Sequence, residues 1–303
     1  MALDYDKTLR LGPYLARLSL TGESSASLNE EILEQRLGPF ICADPMYRDE
    51  EDIAVALHAC GGTWPRPGRP LTHDLKPVNE GHGNWRVLRN DIDAALTPSI
   101  YVIEGEVAPS AQAVEACLQM LLWLVMADDA ASPGLLIHAA TTVHDGRAYV
   151  FAGHAGSGKS TLVEKTPGQV GLCDALSLLT MEDEQWRVWP SPFWGWQSNA
   201  PRNFDPTESW PIGGLGFLEQ GPATRLSPLR NDEALTRLME LMFTYDAFPI
   251  SSSSTFELTA DLLQAARMTS EVGVLHVAHG DDPYQAFDPE YSRAVFALRR
   301  PGK

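Results

Sequence analysis

The first hundred residues show the two-residue alternation of strands rather than the longer period of helices. Apolar residues alternate with small residues from Ile53 to Leu57, and further strand-like segments run from Trp85 to Leu88 and from Ser99 to Val107. Stretches rich in glycine and proline separate these segments, as in GGTWPRPGRP. The pattern predicts a small β-rich N-terminal domain, residues 1–108.

The period changes at Ser110, which is a plausible helix N-cap. Apolar residues then recur at three- and four-residue steps, namely at Val114, Leu118, Leu121, Leu122 and Val125. This spacing predicts a helix with one apolar face. Its most apolar part, 117–126, is too short to cross a bilayer and suits a buried helix. We therefore place a domain boundary near Ala108 and assign residues 109–303 to a second domain.

After this helix, the second domain continues with a predicted hairpin. An apolar run from Leu135 to Ile137 and a second from Ala148 to Ala152 lie on either side of the turn signal Asp145-Gly146. Further strands are predicted at 176–179, 187–189 and 272–277, and helices are predicted after the caps Asn231 and Ser254 and at 290–298. Strands that alternate with helices predict an α/β fold.

The segment GHAGSGKS, from Gly153 to Ser160, fits the pattern G-x-x-x-x-G-K-[ST] in full. A strand-like run precedes it and a helix-competent STLVEK follows, so its context also fits. Glycines let such a loop curl until its N–H groups face inward, and the helix adds its own free amides and the positive end of its dipole. A chance glycine-rich turn is the alternative.

In a phosphate-binding loop of this kind, Lys159 reaches the β- and γ-phosphates and the Ser160 hydroxyl ligates Mg²⁺. We therefore predict a site for ATP and Mg²⁺ made by Gly153, His154, Ala155, Gly156, Ser157, Gly158, Lys159, Ser160 and Thr161. Within this set, His154 is a spacer to which we assign no chemistry.

A carboxylate follows the next short apolar run, at Asp174 in LCDALSLL. At a strand end facing the loop, Asp174 could ligate Mg²⁺ or accept the proton of a hydroxyl group. A solvated turn aspartate is the alternative.

These motifs together resemble a known family. The succession LLIHAATTVHDGRAYVFAGHAGSGKSTL, GLCDALSLL and WPSPFWG, with the later WPIGGLGFLEQGPATRLSPL, is similar to the catalytic domain of HPr kinase/phosphorylase-like proteins. It looks most like the small HPr kinase-related kinases of natural-product and modified-peptide gene clusters. The resemblance covers residues 110–280 and implies a P-loop domain of the HPr kinase and phosphoenolpyruvate carboxykinase type.

By this resemblance Gly153 to Ser160 bind ATP and Mg²⁺, Asp174 is the catalytic base or metal carboxylate, and His138 lies beside the transferring phosphate. Read alone, His138 is an ordinary strand-end histidine. The family commonly has a second acid where this chain has Ala175. That loss could weaken metal binding or shift it to Glu182, Asp183 or Glu184.

We therefore expect an ATP-dependent kinase that phosphorylates a hydroxyl group of a peptide or of a small metabolite. Ala175 supports an alternative, a nucleotide-binding regulatory or partner subunit with little catalysis. A plain ATPase is a third reading. A homo-oligomer or a biosynthetic partner protein fits any of them.

Charge and cysteine content narrow the partners and the compartment. The chain has 23 Lys and Arg against 40 Asp and Glu, a net charge of −17, which disfavours nucleic acid as a partner. Its four cysteines form no zinc pattern, and its first residues do not resemble a signal peptide. We expect a cytoplasmic protein with free thiols and no membrane association.

Tryptophan is concentrated in one stretch, at Trp186, Trp189, Trp194, Trp196 and Trp210. Such density is consistent with a recognition surface or with core packing behind the sheet.

Overall fold

The computed structural model describes residues 2–23, 30–42, 51–64, 68, 74–165, 170–195, 198, 203–245, 252–278 and 281–288. The chain forms two compact units, Met1–Asp129 with Thr244–Ile250 and Ala130–Phe243 with Ser251–Lys303. Both contain strands and helices, so the protein is an α/β protein with mixed sheets. The units divide after Asp129, so the helix that follows Ala108 falls in the first unit.

Among its described residues, the first unit contains a seven-stranded sheet and two α-helices. In chain order its elements are β1 (Ala2–Leu11), β2 (Tyr14–Glu23), α1 (Glu30–Leu37), β3 (Ile53–Ala59), β4 (Lys76–Gly81), β5 (Asn84–Arg89), β6 (Ile92–Thr97), β7 (Val102–Val107) and α2 (Ala111–Asp128). The sheet order is β1-β2-β3-β7-β6-β5-β4. The β-rich prediction for this part of the chain is confirmed.

Strand β3 shows why the sheet forms here. Ile53, Val55 and Leu57 are buried, while the residues between them are half-buried or exposed. Strand β3 pairs in parallel with β2 and β7, so it is a central strand with one face on the core.

Helix α2 begins directly after Ser110, as predicted, and it is buried over most of its length rather than on one face alone. It packs on β3 and β7. By length and composition alone α2 could cross a membrane, but 78% of it is buried inside the protein. The burial accounts for its apolar sequence without a bilayer.

A buried ion pair joins α1 and α2 in the first unit. Arg36 of α1 and Glu115 of α2 are only 5% and 4% exposed, and their side chains form a two-pronged contact in which Arg36 Nη2 lies 3.1 Å from Glu115 Oε2. Each charge is out of water, so each helps to stabilise the other.

The second unit contains nine strands and three helices among the described residues. They are β8 (Gly134–Ile137), β9 (Ala139–His144), β10 (Arg147–Ala152), α3 (Lys159–Lys165), β11 (Val170–Cys173), β12 (Ser177–Glu182), β13 (Gln185–Trp189), β14 (Trp210–Gln220), β15 (Arg225–Pro228), α4 (Asn231–Met239), α5 (Ser252–Thr269) and β16 (Gly273–Val277).

Strand direction brings the chemical motifs to one edge of this sheet. Strands β10, β14 and β16 are parallel neighbours, so their carboxyl ends lie at the same edge. Strand β9 is antiparallel to β10 and to β11. The start of β9 and the end of β11 therefore lie at that edge too. Helix α3 packs on β9 and β11, whereas α5 packs on β14 and on α4.

The predictions were wrong about the pairing of one strand and about the first residue of one helix. The run Leu135–Ile137 is not the first strand of the hairpin, because β8 pairs with β12, and it is β9 that pairs with β10 across Asp145-Gly146. Helix α5 begins at Ser252, so Ser254 lies inside the first turn rather than at the cap.

Helix α4 has Arg230 at its N-cap and Asn231 as its first residue. The strands predicted at 176–179, 187–189 and 272–277 are present within a few residues. The helix predicted at 290–298 lies outside the described residues.

The ion pair of the first unit yields a stability prediction. We expect Glu115→Gln to lower the free energy of unfolding by about 3 to 5 kcal/mol, because it removes the carboxylate charge that the buried Arg36 guanidinium contacts. Urea unfolding measures this, with Glu104→Gln as the control because Glu104 is exposed on β7 of the same unit. The double variant Arg36→Met/Glu115→Leu should recover most of the loss. Equal stability of wild type and Glu115→Gln would show that the buried contact between Arg36 and Glu115 does not stabilise the fold.

Candidate phosphate-binding site

The glycine-rich loop joins the end of β10 to the start of α3, as its sequence predicts. Gly156 and Gly158 have φ angles of 81° and 104°, which side chains other than glycine rarely adopt. A Cβ on Gly153 would lie 2.6 Å from Ser157 Oγ and 3.2 Å from the Leu218 carbonyl oxygen. The tight curl of the loop therefore depends on glycine at these positions.

Neighbouring strands hold the loop at both ends. The Gly153 N–H donates to the His138 carbonyl oxygen (3.0 Å), and Gln220 Nε2 donates to the Gly156 carbonyl oxygen (3.0 Å). His138 lies between β8 and β9, and Gln220 is the last residue of β14.

The Lys159 ammonium lies over the loop itself. Its Nζ donates to the carbonyl oxygens of Gly153 (2.6 Å) and His154 (2.8 Å). Partial burial lowers the pKa of Lys159, and the nearby carboxylate of Asp174 acts in the opposite direction. The charge is thus held where anionic groups cradled by the loop would meet it.

His138 lies beside this cation. Partial burial, then the charges of Lys159 and His154, lower the pKa of His138. The neutral imidazole is therefore the favoured form at neutral pH, so it can act as a hydrogen-bond donor or acceptor there. Its ring packs edge-on against Phe243, with 5.8 Å between centroids.

Asp174 is 2% exposed and lies at the same edge, directly after β11. Its Oδ1 accepts a hydrogen bond from the Gly195 backbone N–H (2.6 Å), whereas its Oδ2 is buried and has no hydrogen-bond partner among the described residues. A buried carboxylate oxygen without a donor is costly unless a cation or proton satisfies it.

The Ser160 hydroxyl lies, like the Asp174 carboxylate, next to Gly195. A Cβ on Gly195 would lie 3.4 Å from Oδ2 of Asp174, 3.5 Å from Oδ1 and 3.6 Å from Ser160 Oγ. The glycine thus leaves open a small gap beside two oxygens that hard divalent cations favour. Asp174 and Ser160 therefore fit Mg²⁺ as oxygen ligands beside an open gap.

The described residues supply few further metal ligands. They contain no group of three or more His, Cys, Asp or Glu side chains that could hold a metal ion. Glu182, Asp183 and Glu184 lie at the turn between β12 and β13. That turn is at the far end of a six-residue strand, about 17 to 20 Å from Asp174. They do not replace the acid absent at Ala175.

A buried polar cluster lies under Asp174. Ser177 Oγ is 2.6 Å from Thr141 Oγ1 and 3.1 Å from Cys173 Sγ, and it donates to the Ala139 carbonyl oxygen at 3.2 Å. The cluster ties β9, β11 and β12 together just where Asp174 leaves the sheet.

Among the described residues, two cavities border the loop. The larger, about 720 Å³, lies beside residues 152–157 and is also lined by Glu219, Arg237 and Glu240. The smaller, about 310 Å³, lies beside Thr161 and Lys165 and reaches the end of β16. Both share the end of β14, so Gln220 and the loop separate them.

The tryptophan-rich stretch mainly fills the core. Trp186, Trp189 and Trp194 are each less than 10% exposed, and Trp210 is half-buried. Trp196 lies outside the described residues. Of the two interpretations of this stretch, packing behind the sheet accounts for the three buried tryptophans.

The sequence alone did not point to Gly195, to Gln220 or to the charged residues that line the larger cavity, Glu219, Arg237 and Glu240. Their contacts are made by backbone atoms or across distant strands, which leave no local pattern. The one available signal was the glycine that ends WPSPFWG.

The fold and the loop define an α/β protein with a glycine-rich loop between a parallel strand and a helix. A family model described as "SynChlorMet cassette protein ScmC" matches residues 105–277, more than half of the chain. The chain therefore belongs to this family, whose description indicates a protein associated with a gene cluster. No curated protein matches the chain.

The cysteines give a test of the burial around the site. Burial raises the pKa of Cys117 and of Cys173 to about 12, whereas Cys42 and Cys60 are partly exposed. At pH 8 we expect a thiol reagent to modify only Cys42 and Cys60 in the folded protein, and all four cysteines after denaturation. Rapid native labelling of Cys173 would contradict the packing under Asp174. Fewer than four thiols after denaturation would contradict the expectation of a reducing compartment.

Proposed function

We propose that this protein is an ATP-dependent kinase that transfers a phosphoryl group to a hydroxyl group, with the HPr kinase-like fold that its motifs resemble. The observation that carries the proposal is the convergence at one loop of Lys159, Ser160 and Oδ2 of Asp174, which has no hydrogen-bond partner among the described residues. Phosphoryl transfer needs mainly positioning and charge neutralisation, which such a group of residues supplies.

Each residue has a role in this proposal. The loop amides and Lys159 hold the phosphates, and Ser160 and Asp174 would hold Mg²⁺, which when bound neutralises phosphate charge. As an alternative role, Oδ2 of Asp174 accepts the proton of the incoming hydroxyl. His138, with its lowered pKa, is a neutral hydrogen-bonding group near the reacting phosphate.

The charges that line the larger cavity indicate which kind of phosphate acceptor to test first. Its wall holds Glu240 and a Glu219–Arg237 ion pair with a separation of 2.9 Å. Because Arg237 is already paired, Glu240 leaves this wall with net negative charge. A positively charged acceptor suits such a wall. A basic serine-containing peptide is therefore the first acceptor to test, ahead of an acidic one.

A second candidate function follows from Ala175. With one carboxylate instead of two, the protein would bind nucleotide and regulate a biosynthetic partner with little turnover. Acceptor-dependent ATP consumption distinguishes the kinase from this binding protein. Steady ATP consumption without an acceptor would indicate a plain ATPase. In each case we propose a cytoplasmic protein.

The role of the Lys159 ammonium can be tested by removing it. We expect Lys159→Ala to weaken Mg-ATP binding by at least about tenfold and to abolish transfer, because the charge that faces the phosphates is lost. Calorimetry measures the affinity, and Lys76→Ala, an exposed lysine on β4, is the control. Unchanged ATP affinity in Lys159→Ala would show that the loop does not bind nucleotide phosphates.

A separate prediction tests whether the protein is an enzyme. Asp174→Asn keeps the shape of the side chain but removes its charge, so we expect ATP to bind still while transfer falls by a factor of about 10² to 10⁴. Transfer from radiolabelled ATP to basic and acidic serine peptides measures this. A rate equal to wild type would exclude Asp174 from the chemistry.

The variant Ala175→Asp separates the two candidate functions. If the protein is a kinase, restoring the acid leaves activity unchanged or raises it. If wild type binds Mg-ATP tightly without transfer or hydrolysis and Ala175→Asp gains turnover, the regulatory function is the correct one.

A further inference from the structure

The segment from Ser191 to Gly195 is fastened across the turn that carries Asp174. The Ser191 N–H donates to the Leu172 carbonyl oxygen at 3.1 Å, and the Leu176 N–H donates to the Phe193 carbonyl oxygen at 3.3 Å. These two bonds lie on either side of Asp174 in the sequence. The segment and the turn are therefore held in one arrangement.

Buried aromatic side chains fix the same segment from below. Phe193 and Trp194 are each 2% exposed. A Cβ on Gly171 of β11 would lie 3.3 Å from the Trp194 ring and 2.6 Å from Val163 Cγ1 of α3, so strand, helix and Trp194 are in close contact. Gly195, which follows Trp194, is thereby placed at a defined position over the end of β11.

We propose that Gly195 is the positioning residue of the divalent-cation site. Its N–H holds Oδ1 of Asp174 at 2.6 Å, whereas Oδ2 has no hydrogen-bond partner in the described part of the chain. The missing side chain of Gly195 leaves open the gap between that carboxylate and Ser160 Oγ. This inference rests on the proposed binding of Mg-ATP and adds the residue that controls the metal.

The distances separate this role from a structural one. A methyl group on Gly195 would lie 3.4 to 3.6 Å from its three nearest atoms, all of them oxygens of Asp174 and Ser160. These are ordinary van der Waals distances, and the φ angle of Gly195 is not among the left-handed values. Gly195→Ala should therefore fold normally. The same methyl group would take the room that Mg²⁺ or one of its retained waters needs.

The test uses the full-length chain and measures ATP affinity twice, in EDTA and in excess Mg²⁺. In wild type we expect Mg²⁺ to tighten binding. In Gly195→Ala we expect an affinity in EDTA within about twofold of wild type and a loss of about tenfold or more in the tightening by Mg²⁺, the range seen when groups that orient metal ligands are altered. Thermal unfolding without ligand should be unchanged or slightly raised.

A matched control and a double variant sharpen the result. Gly38→Ala makes the same chemical change in the first unit, where the nearest atom to the added methyl is the end of the Glu34 side chain at 3.3 Å. It should leave the Mg²⁺ effect intact. If Gly195 acts through Asp174, Gly195→Ala/Asp174→Asn should lose no more of the Mg²⁺ effect than the more affected single variant.

The failures of the two proposals are distinguishable. If wild type binds no ATP under either condition, the proposed function fails. If Gly195→Ala retains the full tightening by Mg²⁺, the positioning role of Gly195 is wrong while the nucleotide site stands. If Gly195→Ala unfolds at lower temperature and loses ATP affinity equally in EDTA and in Mg²⁺, its role is structural and the inference is overturned.

Discussion

The site depends on one requirement of the backbone, that the chain pass from the buried end of β10 into α3 through a loop whose amides face inward. The Gly153 N–H donates to the His138 carbonyl oxygen and the Ser157 N–H donates to the His154 carbonyl oxygen, so the other amides of the loop are the ones that an anion could bind. The loop can take this course only because Gly153 has no side chain to meet Ser157 and Leu218, and because Gly156 and Gly158 adopt left-handed angles.

The directions of the strands complete the site around that loop. Strand β11 runs parallel to β10 through their common neighbour β9, so Asp174 emerges at the same edge as Gly153. His138 arrives there from the opposite direction, because it precedes β9. The buried cluster of Thr141, Cys173 and Ser177 then fixes the three strand ends against one another.

An acidic chain with net charge −17 can still hold an anionic ligand at this place. At physiological salt, exposed charges more than about 8 Å away are largely screened, whereas amides and an ammonium in direct contact are not. The carbonyl oxygens of Gly153 and His154 keep Lys159 within the loop. Local geometry, not total charge, therefore decides what binds.

The sequence was most informative where one short segment determines the structure. The loop, the helix after Ser110 and the alternation in β3 were all predicted because their signals are local periods or a fixed spacing. Pairing between distant strands was less predictable. The sequence predicts that the run Leu135–Ile137 is the first strand of a hairpin. In the structure this strand ends before His138 and pairs with β12, and it is the next strand, β9, that pairs with β10. Gly195 and Asp174 are 21 residues apart in the sequence, and their hydrogen bond is donated by a backbone N–H, so no pattern of side chains predicts it.

The single carboxylate has a consequence for how a cation and a nucleotide would bind. One oxygen of Asp174 is engaged by Gly195, and Ala175 supplies none, so the described residues offer Mg²⁺ mainly Oδ2 of Asp174 and Oγ of Ser160. Magnesium requires six oxygen ligands and keeps several waters, taking the rest from phosphates in sites of this type. A cation site with two protein oxygens would therefore be weak without a nucleotide and would be completed by its phosphates. On this argument the absence of the second acid does not by itself separate a kinase from a binding protein, because it makes the cation depend on the phosphates rather than excluding it.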